Sequence, residues 1–175
     1  MKYFTADECF PYGLEDRYTG IIPNSLFIGG TIDDGYCRDW QKDLVESLKK
    51  HPFSDNFTVL NPRDSSWELT IEQTDSDPKF RKQVDWEQDG LLHSSLIFMY
   101  FMGGSRSIIS MSELGQYCNS GKVIVSADKN YFKRGNIEVL SRRNSFPLYD
   151  NLQEGVDATI DRLIENIKKN NKIKI

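Results

Sequence analysis

The chain has 175 residues, enough for one domain of ordinary size with a sizeable core. Its 22 basic and 26 acidic residues leave a net charge of −4, which argues against a nucleic-acid polymer or a membrane surface as the main partner. Three widely spaced cysteines, Cys9, Cys37 and Cys118, form neither a CxxC pair nor a zinc pattern, so the expectation is a reduced, cytoplasmic protein without a metal.

Residues 1–24 hold Pro11, Gly13, Gly20 and Pro23 and read as a loop-rich N-terminal arm, without the basic-then-apolar pattern of a signal peptide. Residues 25–28 form a short apolar strand ending in Gly29-Gly30-Thr31. A helix is predicted over about 37–50, with Trp40, Leu44, Val45 and Leu48 inward. Residues 57–60 are a second strand. Pro78 opens a helix to about His93, as proline does at a first helical position. The longest apolar run, 96–102, reads as a buried strand, and 123–126 as another. Shorter and longer helices follow over about 136–141 and 152–169. Strands alternating with helices predict a single three-layer α/β domain over 25–175. Its sheet has four or five strands, mainly parallel, with helices on both faces.

Such a sheet gathers the loops after its strands at one edge, where ligands bind. Gly29, Gly30 and Thr31 allow close backbone approach there, although a tight turn explains them equally well, and the chain lacks both GxGxxG and GxxxxGK[ST]. Past Gly103-Gly104, the spacing of Met111, Leu114, Tyr117 and Cys118 predicts a helix with Glu113 in its first turn. The helix dipole would favour an ionised carboxylate there, as nucleophilic attack on a sugar carbon requires. Ser110-Met-Ser-Glu113 also fits a capping box, with Ser110 as N-cap, and the two roles are compatible.

Glu87 falls between Val84 and Leu91 on the inward stripe of its helix. A carboxyl so placed either pairs with a cation such as Arg63 or Lys122, or has a raised pKa and serves as an acid. His51 and His93 lie near helix ends, and neither completes a Ser-His-Asp or Cys-His set. Asp33, Asp34 and Asp64 match no metal-ligand spacing and read as polar loop residues.

Over about residues 24–165 the chain resembles the nucleoside 2-deoxyribosyltransferase superfamily, which includes deoxynucleoside 5′-monophosphate N-glycosidases. The stretches that carry the likeness are SLFIGGTIDDGYCRDWQ, VLNPRDSSWE, FRKQVDWEQDGLLHSSLIF, SIISMSELG and GKVIVSADKNYFKRGNIEVL. The resemblance implies a Rossmann-like fold, with Glu113 as the nucleophile that forms a covalent glycosyl-enzyme intermediate. By the same resemblance Glu87 contacts the base and moves a proton, and Ser107 helps to hold a 5′-phosphate. Asn136 would lie near the 5′ side of the sugar, with Gly29, Gly30 and Thr31 along sugar and base; Asp64 joins the substrate-binding set. The first loop lacks the aromatic residues that cage the base in characterised transferases, which leaves Tyr36 and Trp67 for stacking. No cofactor is implied; a small nucleoside or nucleotide is the partner, and homo-oligomers are the family habit.

The leading expectation is therefore cleavage or exchange of the N-glycosidic bond of a deoxynucleoside or deoxynucleotide, with retention at the sugar carbon. A non-catalytic nucleotide-binding or sensing protein on the same fold is the alternative. Hydrolysis of a ribosyl bond in NAD-like molecules is a third reading.

Overall fold

The predicted apolar runs become the middle of a parallel sheet. The computed structural model describes residues 1–6, 20–32, 37–63 and 72–172. Its strands are β1 (Lys2–Thr5), β2 (Ile22–Gly30), β3 (Thr58–Asn61), β4 (Ser94–Phe101), β5 (Val123–Ala127) and β6 (Leu148–Tyr149). The helices are α1 (Trp40–Lys50), α2 (Pro78–His93), α3 (Ile108–Tyr117), α4 (Arg134–Asn144) and α5 (Leu152–Lys172). The strands order as β1-β3-β2-β4-β5-β6, and every pairing is parallel. Six strands therefore replace the expected four or five. The two additions are the sheet edges, of four and two residues, too short and too partly exposed to show an apolar pattern. The first lies within the stretch read as a loop-rich arm.

The pleat sends alternate side chains of the central strands to opposite faces. Phe27, Ile97, Met99 and Phe101 meet Trp86 and Leu91 of α2, Leu114 of α3 and Ile137 of α4. Leu26, Ile28, Phe98 and Tyr100 meet Trp40, Leu44 and Leu48 of α1 and Val156, Leu163 and Ile167 of α5. A sheet covered on both faces explains why these strands read as continuous apolar runs. No helix among the described residues is long and apolar enough to cross a membrane.

Helix α2 is fastened at both ends. Asp77 accepts the amides of Lys79 and Phe80, and Pro78 occupies the first turn. At the other end, Lys122 donates from Nζ to the carbonyls of Leu91, Leu92 and Ser94 at 2.6, 2.8 and 3.1 Å. Between them Gly90 brings the helix down on β2. A Cβ at Gly90 would lie 2.6 Å from the Phe27 ring, which is 1% exposed and packed against Trp86 at 6.4 Å. Gly90→Ala gains up to ~1 kcal/mol of helix propensity. Overpacking a closed contact costs about 1–3 kcal/mol, so packing wins. The expected outcome is a lower urea midpoint with an unchanged slope; an unchanged or higher midpoint would show that Phe27 has room to give.

Candidate active site

The carboxyl ends of β2 and β4 run side by side to Gly29–Met99 and Gly30–Tyr100. Gly30 has φ +122°, and a Cβ on it would sit 2.3 Å from the Tyr100 carbonyl oxygen, so only glycine fits. The next residue, Thr31, is fully buried and continues the pairing through its amide to Tyr100 O at 2.8 Å.

Thr31, Ser105 and Ser107 form a closed ring of buried hydroxyls. Their oxygens are 3.0 Å apart for Thr31–Ser105, 2.6 Å for Thr31–Ser107 and 2.9 Å for Ser105–Ser107. Thr31 Oγ1 also accepts the Met102 amide at 3.0 Å, and Ser105 Oγ donates to the Met102 carbonyl at 2.8 Å. With one proton spent on that carbonyl, two hydroxyl protons serve three contacts within the ring. One contact is always unfilled, so the proton positions can interchange when a ligand arrives.

This ring overturns the capping box. Helix α3 starts after Ser107, which has left-handed φ 46°, ψ 48° and makes no side-chain cap. Ser110 is the third helical residue, and its hydroxyl donates to the Gly30 carbonyl at 2.8 Å, locking α3 to the end of β2. Glu113 accordingly lies in the second turn and not the first. The dipole fades within one turn, so it does not keep this carboxyl ionised.

Burial decides its charge instead. Glu113 is 6% exposed, and burial, followed by the charge of Glu87, pushes its pKa from near 4.5 to about 8. Glu87 on α2 is raised to about 7, chiefly by burial, while a hydrogen bond from Gln83 Nε2 at 3.0 Å pulls the other way. Tyr117, one turn beyond Glu113, is also raised, first by burial and then by Glu113. Thus the two predicted catalytic carboxyls share one electrostatic neighbourhood, and no ion pair to either occurs among the described residues.

The cations suggested for Glu87 lie elsewhere. Lys122 is spent on the end of α2. Arg63 donates to Cys37 O at 3.3 Å and to Gln41 Oε1 at 3.4 Å, with Asp39 Oδ2 at 3.8 Å from its Nε. Gln83 takes the place next to Glu87, a partner that its spacing of four along the helix would have suggested. Gly29, Gly30, Thr31 and Ser107 meet at the sheet edge as expected from sequence. Asn136 is solvent-exposed in the first turn of α4, and among the described residues its side chain makes no hydrogen bond. The sequence candidates Asp33, Asp34, Tyr36, Asp64 and Trp67 lie outside the described residues.

Residues 23–131 match the family model described as nucleoside 2-deoxyribosyltransferase like. The chain belongs to this deoxyribosyltransferase-like family. The matched stretch holds Gly29, Gly30, Thr31, Glu87, Ser107 and Glu113 and ends before Asn136. A conserved protein from Enterococcus faecalis V583, known by its crystal structure, has a similar fold, with a TM-score of 0.56 at 12% identity. The similarity covers 81% of this chain and 99% of that one, and at such identity it speaks for the fold alone. No curated protein matches the chain.

A carboxyl whose pKa is higher folded than unfolded adds no cost while both states are protonated, destabilises increasingly as pH rises from the unfolded value to the folded one, and costs a constant amount above that. Glu113→Gln in this deoxyribosyltransferase-like protein is therefore expected to be near-neutral for stability at about pH 4 and stabilising at about pH 8.5. Each kcal/mol recovered should raise Tm by roughly 2–4 °C in a chain of this size. Thermal unfolding at the two pH values checks it. Equal shifts at both would mean that Glu113 does not titrate abnormally.

Proposed function

We propose that this protein cleaves or exchanges the N-glycosidic bond of a deoxynucleoside or deoxynucleotide by a retaining mechanism. The observation that carries the reading is the Glu87–Glu113 pair, Glu113 buried and Glu87 half-buried, each carboxyl raised into the neutral range. Such a pair holds about one proton near neutrality, which supplies one nucleophile and one acid in the same pocket. Family membership supports a nucleoside-type ligand.

The reactive state is the singly protonated one with Glu113 ionised, the minor of two tautomers because Glu113 is raised further than Glu87, and it is reached by moving the proton from Glu113 to Glu87. The Glu113 carboxylate attacks the anomeric carbon, and the electrons of the carbon–nitrogen bond leave with the base. Glu87 gives that base its proton. In the second half, Glu87 as carboxylate takes a proton from an incoming water while the water oxygen displaces Glu113. A second base in place of water turns hydrolysis into transfer. The Thr31–Ser105–Ser107 ring with the first amides of α3 faces the 5′ side, where it suits a phosphate. On this reading Asn136 and Asp64 contribute to the sugar side, and a homo-oligomer in the cytoplasm is the working form.

Free base released from deoxynucleosides, their 5′-monophosphates and NAD, with and without a second base, is the direct assay. Release that vanishes in Glu113→Gln supports the reading. A folded protein that binds nucleotide but yields no base from any of them rejects it in favour of the binding-protein alternative. The pH dependence is a separate check. Below about 7 both carboxyls are protonated and Glu113 cannot attack; above about 8 both are ionised and the acid is gone. A bell-shaped kcat/KM profile is expected between these limbs, and Glu87→Gln should remove its alkaline limb while slowing base departure by roughly 10²–10⁴-fold. A profile flat from about pH 6 to 9 would remove the pair from the mechanism.

A further inference from the structure

Residues 102–107 carry Ser105 and Ser107 and deliver the first turn of α3, yet much of what fixes them comes from another loop. Within the segment, Ser105 bonds the Met102 carbonyl through its amide at 3.3 Å and its hydroxyl at 2.8 Å. Thr31 holds Met102, Ser105 and Ser107 from the end of β2, and further ties come from the residues just beyond β5. Asp128 accepts the Gly103 amide on Oδ2 at 2.9 Å, and the Tyr100 hydroxyl lies 2.9 and 3.0 Å from its two oxygens. The Asn130 amide covers Gly103 so closely that a Cβ there would meet Oδ1 at 2.0 Å. Tyr131, 3% exposed and packed on Phe101 at 5.2 Å, donates its hydroxyl to the Arg106 carbonyl at 2.9 Å. Residues 128–131 thus grip the segment near both ends.

Asp128 has the most to do in this grip. Its neighbour Lys129 pairs with Asp150 at 3.2 Å, whereas Asp128 forms no salt bridge among the described residues. Among the described residues its carboxylate is held by neutral donors, one from the loop and one from the strand below it. Charge-assisted bonds of this kind are stronger than neutral ones, and the two together fix where Gly103 stands relative to β4. Gly103 in turn sets the path to Ser105 and Ser107.

We propose that Asp128 is a positioning residue that sets the 5′-binding hydroxyls of residues 102–107 and so favours 5′-monophosphates over unphosphorylated deoxynucleosides. The proposal rests on the glycosidase reading and on the 5′ side lying at this loop. Asp128 touches neither reacting carboxyl and acts through the Gly103 amide.

The experiment compares wild type, Asp128→Ala, Asp128→Asn and Tyr131→Phe on one deoxynucleoside and its 5′-monophosphate. Losing a bond to a charged acceptor, transmitted to the loop, should raise KM for the monophosphate about tenfold in Asp128→Ala, with kcat falling less than about threefold. KM for the nucleoside should change little. Asp128→Asn keeps one acceptor oxygen and should recover much of the loss, and it also serves if the alanine variant does not fold. Tyr131→Phe should move the same ratio in the same direction by less. Equal changes on both substrates, a loss confined to kcat, or no change overturns the proposal. If wild type releases no base, the glycosidase reading fails by itself. Calorimetric titration of the same two ligands then decides the positioning role, with selective weakening of monophosphate binding expected and uniform or absent weakening overturning it.

Discussion

Desolvation of the Glu87 and Glu113 carboxyls, with the charge of Glu87 adding to the cost at Glu113, is the constraint around which the site is organised. Two carboxyls enclosed near one another, with no ion-pair partner among the described residues, oppose folding once both are charged. They stay together because they stand on separately anchored helices. Helix α2 is held by Asp77, the Gly90–Phe27 contact and Lys122. Helix α3 is held by the Ser110 bond to Gly30 and by the hydroxyl ring before its first turn. Packing and hydrogen bonds distant from the carboxyls supply what the pair itself withholds, a common arrangement where a site needs an unfavourable charge state.

The floor of the site has a different logic. Gly30 is forced by the approach of Tyr100, and the adjacent Thr31 turns its side chain into a buried network. Backbone, small hydroxyls and a helix start are therefore the surfaces offered beside the reacting pair. Such a lining recognises sugar and phosphate oxygens better than an apolar body.

The central strands were legible because burial on both faces leaves uninterrupted apolar runs, and α2 because Pro78 and its stripe mark both start and face. The edge strands were not, since four and two residues carry too little pattern. Glu113 and Glu87 could be singled out from position and resemblance, but the charge state of Glu113 could not. That expectation rested on Glu113 standing in the first turn of α3, whereas the helix starts earlier and the Ser110 hydroxyl, the predicted cap, is taken by a tertiary partner, the Gly30 carbonyl. Nothing in Ser107-Ile-Ile-Ser110 announces a left-handed residue ahead of the helix. Likewise Arg63 and Lys122 were reasonable partners for Glu87 by charge, and the fold uses both for backbone carbonyls. The grip of 128–131 on 102–107 joins residues far apart in sequence, and no spacing rule reaches it.

The three carbonyls gathered by Lys122 also bear on how the site can move. They belong to the last turn of α2 and the residue that begins β4, so a single ammonium joins the helix end to the sheet. Turning α2 about its axis, or sliding it along, would break all three bonds together. The helix is thus a fixed mast, and any change in the gap between the two carboxyls falls to rotations within the side chains of Glu87 and Glu113. On the proposed reading, proton exchange between them is a matter of rotamers on a rigid frame.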